Sequence, residues 1–240
     1  MQELLHWLDD SFEFPDPATA LKNPNGLLAV GGDLQPMRLL QAYQRGIFPW
    51  FDADQPPLWW TPDPRMVLFP QELHISRSLH KAIRNCRFML SSDQAFTQVM
   101  AACAGPRGGA QGTWITEEMQ NAYLSLHQLG FAHSVEVWDN DVLVGGLYGL
   151  AMGKVFFGES MFSSKSNASK IAFVHVVQTL AAAGVELIDC QVANPHLESL
   201  GARSIPRKQF MQFLPACTDV PKPAYWPYNS LSRFPARMLA

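Results

Sequence analysis

Two polar side chains, Asp189 and Gln191, lie two positions apart in a mostly apolar segment near residue 190. Residues 185–192 read Val-Glu-Leu-Ile-Asp-Cys-Gln-Val and follow Gly184, a pattern that predicts a strand after a helix stop. Because side chains alternate along a strand, Asp189 and Gln191 project from the same face. Asp is a poor strand residue, and a buried carboxylate needs partners. A satisfied structural Asp is one interpretation, but the neighbouring carboxamide favours a functional pair.

A second acid, Glu159, lies among Phe and Gly residues in the segment 155–162. An acid on a core strand must be paired or used. Glu159 and Asp189, on two apolar strands separated by a helix, therefore suggest a pocket for a cationic group. A salt bridge to Lys165 or Lys170 is the structural alternative.

Other chemistries fit the sequence poorly. The segment 158–162 superficially matches a serine nucleophile elbow, but Phe162 occupies the last glycine position and the segment lies in a hairpin. Cys190 has no neighbouring positive charge to lower its pKa, so a structural thiol is the better interpretation. The four cysteines are scattered without a C-x-x-C pair, so neither a disulfide framework nor a metal site is expected.

The elements that must position these residues follow an alternating pattern. Hairpin strands followed by a helix and another strand predict an α+β fold with a mixed sheet. We expect a small Pro/Trp-rich domain at 1–65 and a second domain at 66–240. Helices are predicted over 37–45, 77–87, 116–129 and 167–183, with short pieces at 196–200 and 207–214, and strands over 134–138, 142–150, 154–161 and 185–192.

The composition predicts a globular cytoplasmic protein. The 240 residues are 48% hydrophobic, ample for a core. No run approaches the about 18 apolar residues of a membrane helix, and the N-terminus lacks the pattern of a signal peptide. Net charge is −3, yet residues 73–92 contain four bases and no acid. On a helix, Arg77, Lys81 and Arg84 share one face, which is either solvated or contacts phosphates.

Aromatic and glycine-rich loops offer two further features. Trp50, Trp59 and Trp60 lie in turn-rich sequence, where they either fill a small core or provide a stacking platform for a nucleobase. The Gly-rich segment 105–112 lacks the Lys-Ser/Thr ending of a P-loop. It is better interpreted as a mobile connection that delivers Trp114.

Six motifs occur in order along nearly the whole chain, and together they resemble the leucyl/phenylalanyl-tRNA–protein transferase family. They are NGLLAVGGDL at 25–34, YQRGIFPWF at 43–51, WWTPDPR at 59–65, GTWIT at 112–116, GESMFS at 158–163 and LIDCQV at 187–192. The resemblance implies a small N-terminal domain followed by an acetyltransferase-like (GNAT) domain. It implies transfer of Leu or Phe from aminoacyl-tRNA to proteins with N-terminal Arg or Lys, which marks them for N-degron proteolysis. We also expect a monomer without cofactor or metal.

The resemblance also implies roles for individual residues. One set of residues would bind the aminoacyl-adenosine. Its tryptophans would hold the adenosine, and its apolar side chains would line a slot for the amino-acid side chain. Because the slot is unforked, it would disfavour the β-branched side chains of Ile and Val. That set is Trp50, Trp114, Leu147, Phe156, Gly158, Val176, Ile188 and Asn194. The tRNA backbone would meet Arg77, Lys81 and Arg84.

The implied reaction is aminolysis of an ester. The family mechanism has Asp189 orient Gln191, which accepts the proton of the amine. Because an amide is a poor base, we expect Gln191 to position the amine and Asp189 to act electrostatically. We expect Glu159 and Asp189 to bind the acceptor, with Glu159 holding either the cationic end of the acceptor or the aminoacyl amine.

Two rival functions come from other classes. An acyl-CoA-dependent N-acetyltransferase would share the fold, but residues 163–168 do not match its pyrophosphate loop. A non-catalytic RNA-binding module would account for the aromatic residues Trp50 and Trp114 and for the basic helix. It gives no function to Glu159, Asp189 and Gln191.

Overall fold

The computed structural model describes residues 5–105, 115–214, 226 and 233–239. The helices are α1 (Pro36–Gln44), α2 (Arg77–Asn85), α3 (Phe96–Cys103), α4 (Glu117–Gln128), α5 (Ala168–Ala182), α6 (Pro195–Glu198) and α7 (Arg207–Phe210). The strands are β1 (His6–Leu8), β2 (Leu27–Gly31), β3 (Phe48–Pro49), β4 (Leu58–Trp60), β5 (Arg65–Leu68), β6 (Met89–Ser92), β7 (Ala132–Asp139), β8 (Val142–Met152), β9 (Val155–Ser163), β10 (Leu187–Gln191), β11 (Arg203–Ile205) and β12 (Phe234–Pro235).

The strands form two sheets. The small sheet has the order β1-β2-β4-β3, and the large sheet has the order β11-β5-β10-β9-β8-β7-β6-β12. In the large sheet β9 and β10 are parallel, with α5 as the crossover between them, while the other pairs are antiparallel. The mixed sheet is therefore as the sequence predicts.

Local sequence signals explain the helix boundaries. Helix α1 begins at Pro36, where a missing N–H costs nothing, and is followed by Gly46 at φ +71°. Helix α2 begins after Ser76, whose hydroxyl accepts the backbone N–H of Leu79. Thr116 caps α4 in the same way. The four longer predicted helices are confirmed, although α2 ends two residues earlier than the pattern indicates.

The N-terminal region departs from expectation. Its sequence predicts one helix among turns, whereas the structure adds the small four-stranded sheet. The strands of this sheet contain only two to five residues, too few to show a period. The sequence pattern also missed α3 and β6.

Hydrophobic cores cover both faces of the large sheet. One core joins the sheet to α1, α3, α4 and the small sheet, with Trp59 fully buried within it. The other core packs α2 and α5 against the opposite face. Among the described residues, every helix is too short or too polar to cross a membrane.

Candidate active site

A pocket opens where β9 and β10 part. The last pair of their parallel ladder is Asp189 with Phe157. Just beyond it, the register of β9 against β8 shifts at Glu159, and the register of β10 against β5 shifts at Cys190. Such bulges bend strands and redirect side chains, and they are frequent beside active sites. Beyond that pair the backbones of the two strands no longer form a ladder, and the pocket lies between them.

The pocket has a volume of about 250 Å³. Its wall is mostly apolar, and Glu159, Asp189 and Gln191 contribute polar groups to it. Residues 48–50 of the N-terminal region also line the pocket. The apolar lining includes Leu147, Tyr148, Phe156, Met161, Phe173, Ile188 and Leu197.

Asp189 is fully buried and paired with Arg65. Nε and Nη2 of Arg65 donate to the two carboxylate oxygens at 2.8 and 2.6 Å. The guanidinium also donates to the carbonyl oxygen of Gly46 at 3.0 Å and lies 4.7 Å from the ring centres of Phe48 and Phe210. The charge of Asp189 is therefore offset inside the protein, by a partner that the sequence reasoning did not identify.

Gln191 is held by its backbone and by its side chain. Its φ is +63°, a left-handed conformation that is costly for a residue with a Cβ. The backbone N–H donates to Oδ1 of Asp189 at 2.9 Å, which stabilises this turn. The side-chain amide then donates to Oε1 of Glu159 at 2.9 Å. Asp189 thus orients Gln191 through the main chain.

Glu159 is 8% exposed and lines the pocket. Tyr43 donates to its Oε1 at 2.7 Å, and Tyr123 donates to its Oε2 at 2.8 Å. Burial raises the pKa of Glu159 to about 7, and the two tyrosine hydrogen bonds oppose that rise. The lysine partners suggested by the sequence are not used, since Lys165 pairs with Asp139.

The structure brings most of the predicted donor-site residues together. The members that line the pocket are Trp50, Leu147, Phe156, Gly158, Ile188 and Asn194. Val176 is instead buried in the core with Phe156 and Ile188, and Phe173, three residues earlier on α5, lines the pocket. Trp114 and the Gly-rich segment from residue 106 lie outside the described residues.

The predicted basic face of α2 is exposed at Arg77, Lys81 and Arg84, whereas Leu79 and Ile83 are buried. Of the loop tryptophans, Trp50 is 45% exposed, which leaves a face open beside the pocket. Trp60 holds Trp50 in place, because its indole N–H donates to the carbonyl oxygen of Trp50 at 2.7 Å.

One cluster among the described residues has the composition of a metal site. Asp93, His127 and His133 each place a potential ligand atom within 4.8 Å of the others. These atoms already have partners: Nδ1 of His133 contacts Asp93 at 2.8 Å, and Nδ1 of His127 contacts the carbonyl oxygen of Ala132 at 2.7 Å. The cluster is explained as a hydrogen-bond network that ties β7 to its neighbours.

Sequence reasoning missed the side chains that hold the two acids, namely Tyr43 and Tyr123 at Glu159 and Arg65 at Asp189. Tyr43 and Arg65 lie inside two of the six motifs, but nothing in their local patterns indicates that they meet Glu159 and Asp189. The distances along the chain explain this, since Tyr43 lies 116 positions from Glu159 and Arg65 lies 124 positions from Asp189.

Comparisons with known proteins show which family this chain belongs to. A family model described as leucyl/phenylalanyl-tRNA protein transferase matches residues 67–215, and a model of the N-terminal domain of the same proteins matches residues 32–63. Together with the polar cluster at the pocket, these matches define a transferase enzyme. The chain belongs to the leucyl/phenylalanyl-tRNA–protein transferase family.

Two relatives show the extent of the likeness. The leucyl/phenylalanyl-tRNA–protein transferase of Azotobacter vinelandii is 60% identical over 217 residues, which cover 90% of this chain and 96% of that protein. The protein of the same name from Pseudomonas fluorescens strain SBW25 is 59% identical over 224 residues, covering 93% and 99%.

Solved structures give only weak likenesses. L-PGS from Bacillus licheniformis has a TM-score of 0.40 at 13% identity, covering 62% of this chain and 47% of that chain. A GCN5-related N-acetyltransferase from Kribbella flavida has a TM-score of 0.35 at 12% identity, covering 67% and 57%.

Proposed function

We propose that this enzyme transfers Leu or Phe from aminoacyl-tRNA to the α-amino group of proteins that begin with Arg or Lys, by direct aminolysis of the aminoacyl ester. The observation that carries the proposal is that one pocket is lined both by the apolar side chains of Leu147, Phe156 and Ile188 and by the polar groups of Glu159 and Gln191. We take the apolar part of this lining as the slot for the donor side chain. A side chain seated in the slot places its own ester beside these polar groups. Alignment of amine and ester then supplies much of the acceleration.

The donor fits the remaining surfaces. The exposed ring of Trp50 offers a stacking face for the terminal adenosine, a role we also assign to Trp114. Gly158 lets the ester approach the backbone closely, and Asn194 borders the same opening. Arg77, Lys81 and Arg84 on α2 form a basic face suited to the tRNA backbone.

The acceptor fits the acidic side of the pocket. Because Arg65 offsets the charge of Asp189, the ionised form of Glu159 is the group best placed to attract a cationic N-terminus. Asp189 contributes by fixing Gln191, and Gln191 positions the amine. We assign both acids to acceptor binding, Glu159 by contact and Asp189 through Gln191.

The wider assignment follows from this activity. We propose a small domain at 1–65 and an acetyltransferase-like domain at 66–240, supported by the parallel β9 and β10 with their crossover helix. The enzyme would act as a monomer in the cytoplasm, where its products enter N-degron proteolysis.

The rival donor, acyl-CoA, needs free N–H groups at a helix start to hold its pyrophosphate. At the start of α5, the N–H of Ala168 donates to the carbonyl oxygen of Lys165 at 3.1 Å, and the N–H of Ser169 donates to the hydroxyl of Ser163 at 3.3 Å. These donors are already occupied, which argues against acyl-CoA as the donor.

A transfer assay tests the proposal. Labelled Leu-tRNA is incubated with peptides that differ only in an N-terminal Arg, Lys or Ala, and a parallel reaction supplies labelled acetyl-CoA. We expect label on the Arg and Lys peptides from the tRNA alone. Acetyl transfer without Leu transfer would replace the proposal with an acetyltransferase, and tRNA binding without any transfer would favour a binding module.

A further inference from the structure

Three oxygen-to-oxygen contacts form a closed ring beneath the pocket. Tyr43 Oη lies 2.5 Å from Tyr123 Oη, Tyr43 Oη lies 2.7 Å from Glu159 Oε1, and Tyr123 Oη lies 2.8 Å from Glu159 Oε2. Each contact is a hydrogen-bond distance and needs one proton. The hydroxyls come from α1 and α4, so three separate elements build the ring.

The number of protons in this ring depends on the ionisation of Glu159. When the carboxyl is ionised, the two hydroxyls supply two protons for three contacts, and one contact remains empty. When it is neutral, Oε2–H donates to Tyr123, Tyr123 donates to Tyr43, and Tyr43 donates to Oε1. All three contacts are then filled. The ring with ionised Glu159 therefore has room for one additional proton.

We propose that Glu159 is the proton acceptor of the transfer reaction and that Tyr43 and Tyr123 share the proton it receives. This inference rests on the proposed function. The acceptor α-amino nitrogen attacks the ester carbonyl carbon, a C–N bond forms, and the carboxylate of Glu159 takes one proton from nitrogen. The C–O bond to the ribose then breaks, its electron pair stays on the ribose oxygen, and Glu159 returns the proton to that oxygen. The carboxylate is regenerated and no other reactant is needed.

The geometry leaves room for this proton. A carboxylate offers about four lone-pair sites. Tyr43 and the amide of Gln191 occupy those of Oε1, and Tyr123 occupies one at Oε2, so the second site of Oε2 remains to take the proton. Rotation about the C–O bond then turns the new O–H toward Tyr123, whose own hydroxyl turns to Tyr43, and the ring is filled. Gln191, an amide and a poor base, is already donating to Glu159 and acts as a positioning residue.

The surroundings of Glu159 support ionisation near neutral pH. Burial raises its pKa to about 7, the facing Asp189 adds to this rise, and Arg65 and the hydroxyls of Tyr43 and Tyr123 oppose it. Tyr43 and Tyr123 stay protonated, because burial and the charge of Glu159 raise their pKa values well above the ordinary one. An α-amino group has a pKa of about 7.7–8.0, so donor and acceptor are well matched for proton transfer.

Single-turnover transfer of Leu to an Arg peptide, measured between about pH 5 and pH 9, tests the proposal. In the wild type, the rate falls as pH drops through the Glu159 pKa. Glu159→Gln should lower kcat by about 100-fold or more. It should also remove the part of the pH–rate profile that reports protonation of Glu159, so that only the fall caused by protonation of the acceptor amine remains. The matched control is Glu136→Gln, because Glu136 is also buried and bonded to the hydroxyls of Ser91 and Ser134, yet it lies outside the pocket. Its pH profile should match the wild type.

A second variant covers the case in which Glu159→Gln fails to fold. Tyr43→Phe removes a hydrogen bond that lowers the pKa of Glu159. The fall in transfer rate that reports protonation of Glu159 should therefore move to higher pH. A purely structural role of Tyr43 would not move that fall.

Three results would overturn the proposal: an unchanged pH–rate profile in Tyr43→Phe, a Glu159→Gln enzyme with normal kcat, or an effect of Glu159→Gln confined to acceptor KM. These leave the proposed function intact. Absence of transfer by the wild-type enzyme would instead remove both.

Discussion

The guanidinium of Arg65 and the carboxylate of Asp189, 124 positions apart in the chain, form a two-point ion pair with both side chains fully buried. The pair joins β5 to β10, and the rings of Phe48 and Phe210 enclose it. Because Asp189 also accepts the N–H of Gln191, the pair fixes the turn that presents Gln191 to the pocket.

Breaking this ion pair should destabilise the protein strongly. Arg65→Met or Asp189→Leu leaves an uncompensated buried charge, which typically costs about 3–5 kcal/mol. The double variant should lose much less than the sum of the two, because no charge is left unpaired. Urea unfolding measures each free energy, with Lys154→Ala as a control, since its exposed pair with Glu186 should contribute below about 1 kcal/mol. Additive losses in the double variant would contradict the pairing.

The left-handed backbone at Gln191 gives a second prediction. Gln191→Gly and Gln191→Ala both remove the amide that reaches Glu159, so both should reduce transfer to a similar degree. Glycine adopts φ +63° without strain, so the Gly variant should be about 1 kcal/mol more stable than the Ala variant. Thermal unfolding and kcat measured on the same pair separate the two effects. A more stable Ala variant would show that the turn is not strained.

A methyl group at Gly158 should narrow the slot without disturbing the fold. A Cβ there would lie 3.4 Å from the carbonyl oxygen of Asp189, an ordinary contact, whereas one at Gly149 would lie 2.2 Å from that of Phe157. Gly158→Ala should therefore fold and lose Phe transfer more than Leu transfer, by roughly 10-fold. Gly149→Ala is the contrasting variant and should be unstable. Equal effects of Gly158→Ala on Leu and Phe would place the donor side chain elsewhere.

Charge removal on α2 should weaken tRNA binding in a salt-dependent way. Replacing Arg77, Lys81 and Arg84 with Ala should flatten the slope of log K against log salt by about 2–3. The control removes equal charge elsewhere, at the exposed Lys22, Lys154 and Lys208, and should leave the slope unchanged. Filter binding over a salt series measures both. If the α2 variant and the wild type had the same salt slope, the basic face of α2 would be in contact with solvent and not with the tRNA.

The sequence predicts the parts of this fold that depend on local patterns. Helix ends are set by capping residues such as Ser76 and Thr116 and by the glycine after α1. The alternation along residues 187–191 predicts that Leu187 and Ile188 face opposite sides of the sheet, and they do lie in the two different cores. Short strands such as β3 carry no period, so the small sheet could not be predicted from pattern.

The site was predictable only in part, for a physical reason. Glu159 and Asp189 stand out because acids on apolar strands require partners. Which partners they find depends on the packing of α1, α4 and β5, and no spacing in the sequence encodes the meeting of Tyr43 with Glu159 or of Arg65 with Asp189. The bulge that directs Glu159 into the pocket likewise arises from pairing between β8 and β9.

The most direct test of the account compares the transfer of Leu with the transfer of its isomer Ile from charged tRNA. Leu and Ile side chains have the same atoms and differ only in where they branch, so a slot bounded by Leu147, Phe156 and Ile188 should distinguish them by shape alone. With equal concentrations of Leu-, Phe-, Ile- and Val-charged tRNA and an Arg peptide, we expect product from Leu and Phe and at least about 10-fold less from Ile and Val. Transfer of Ile at the rate of Leu would contradict the account.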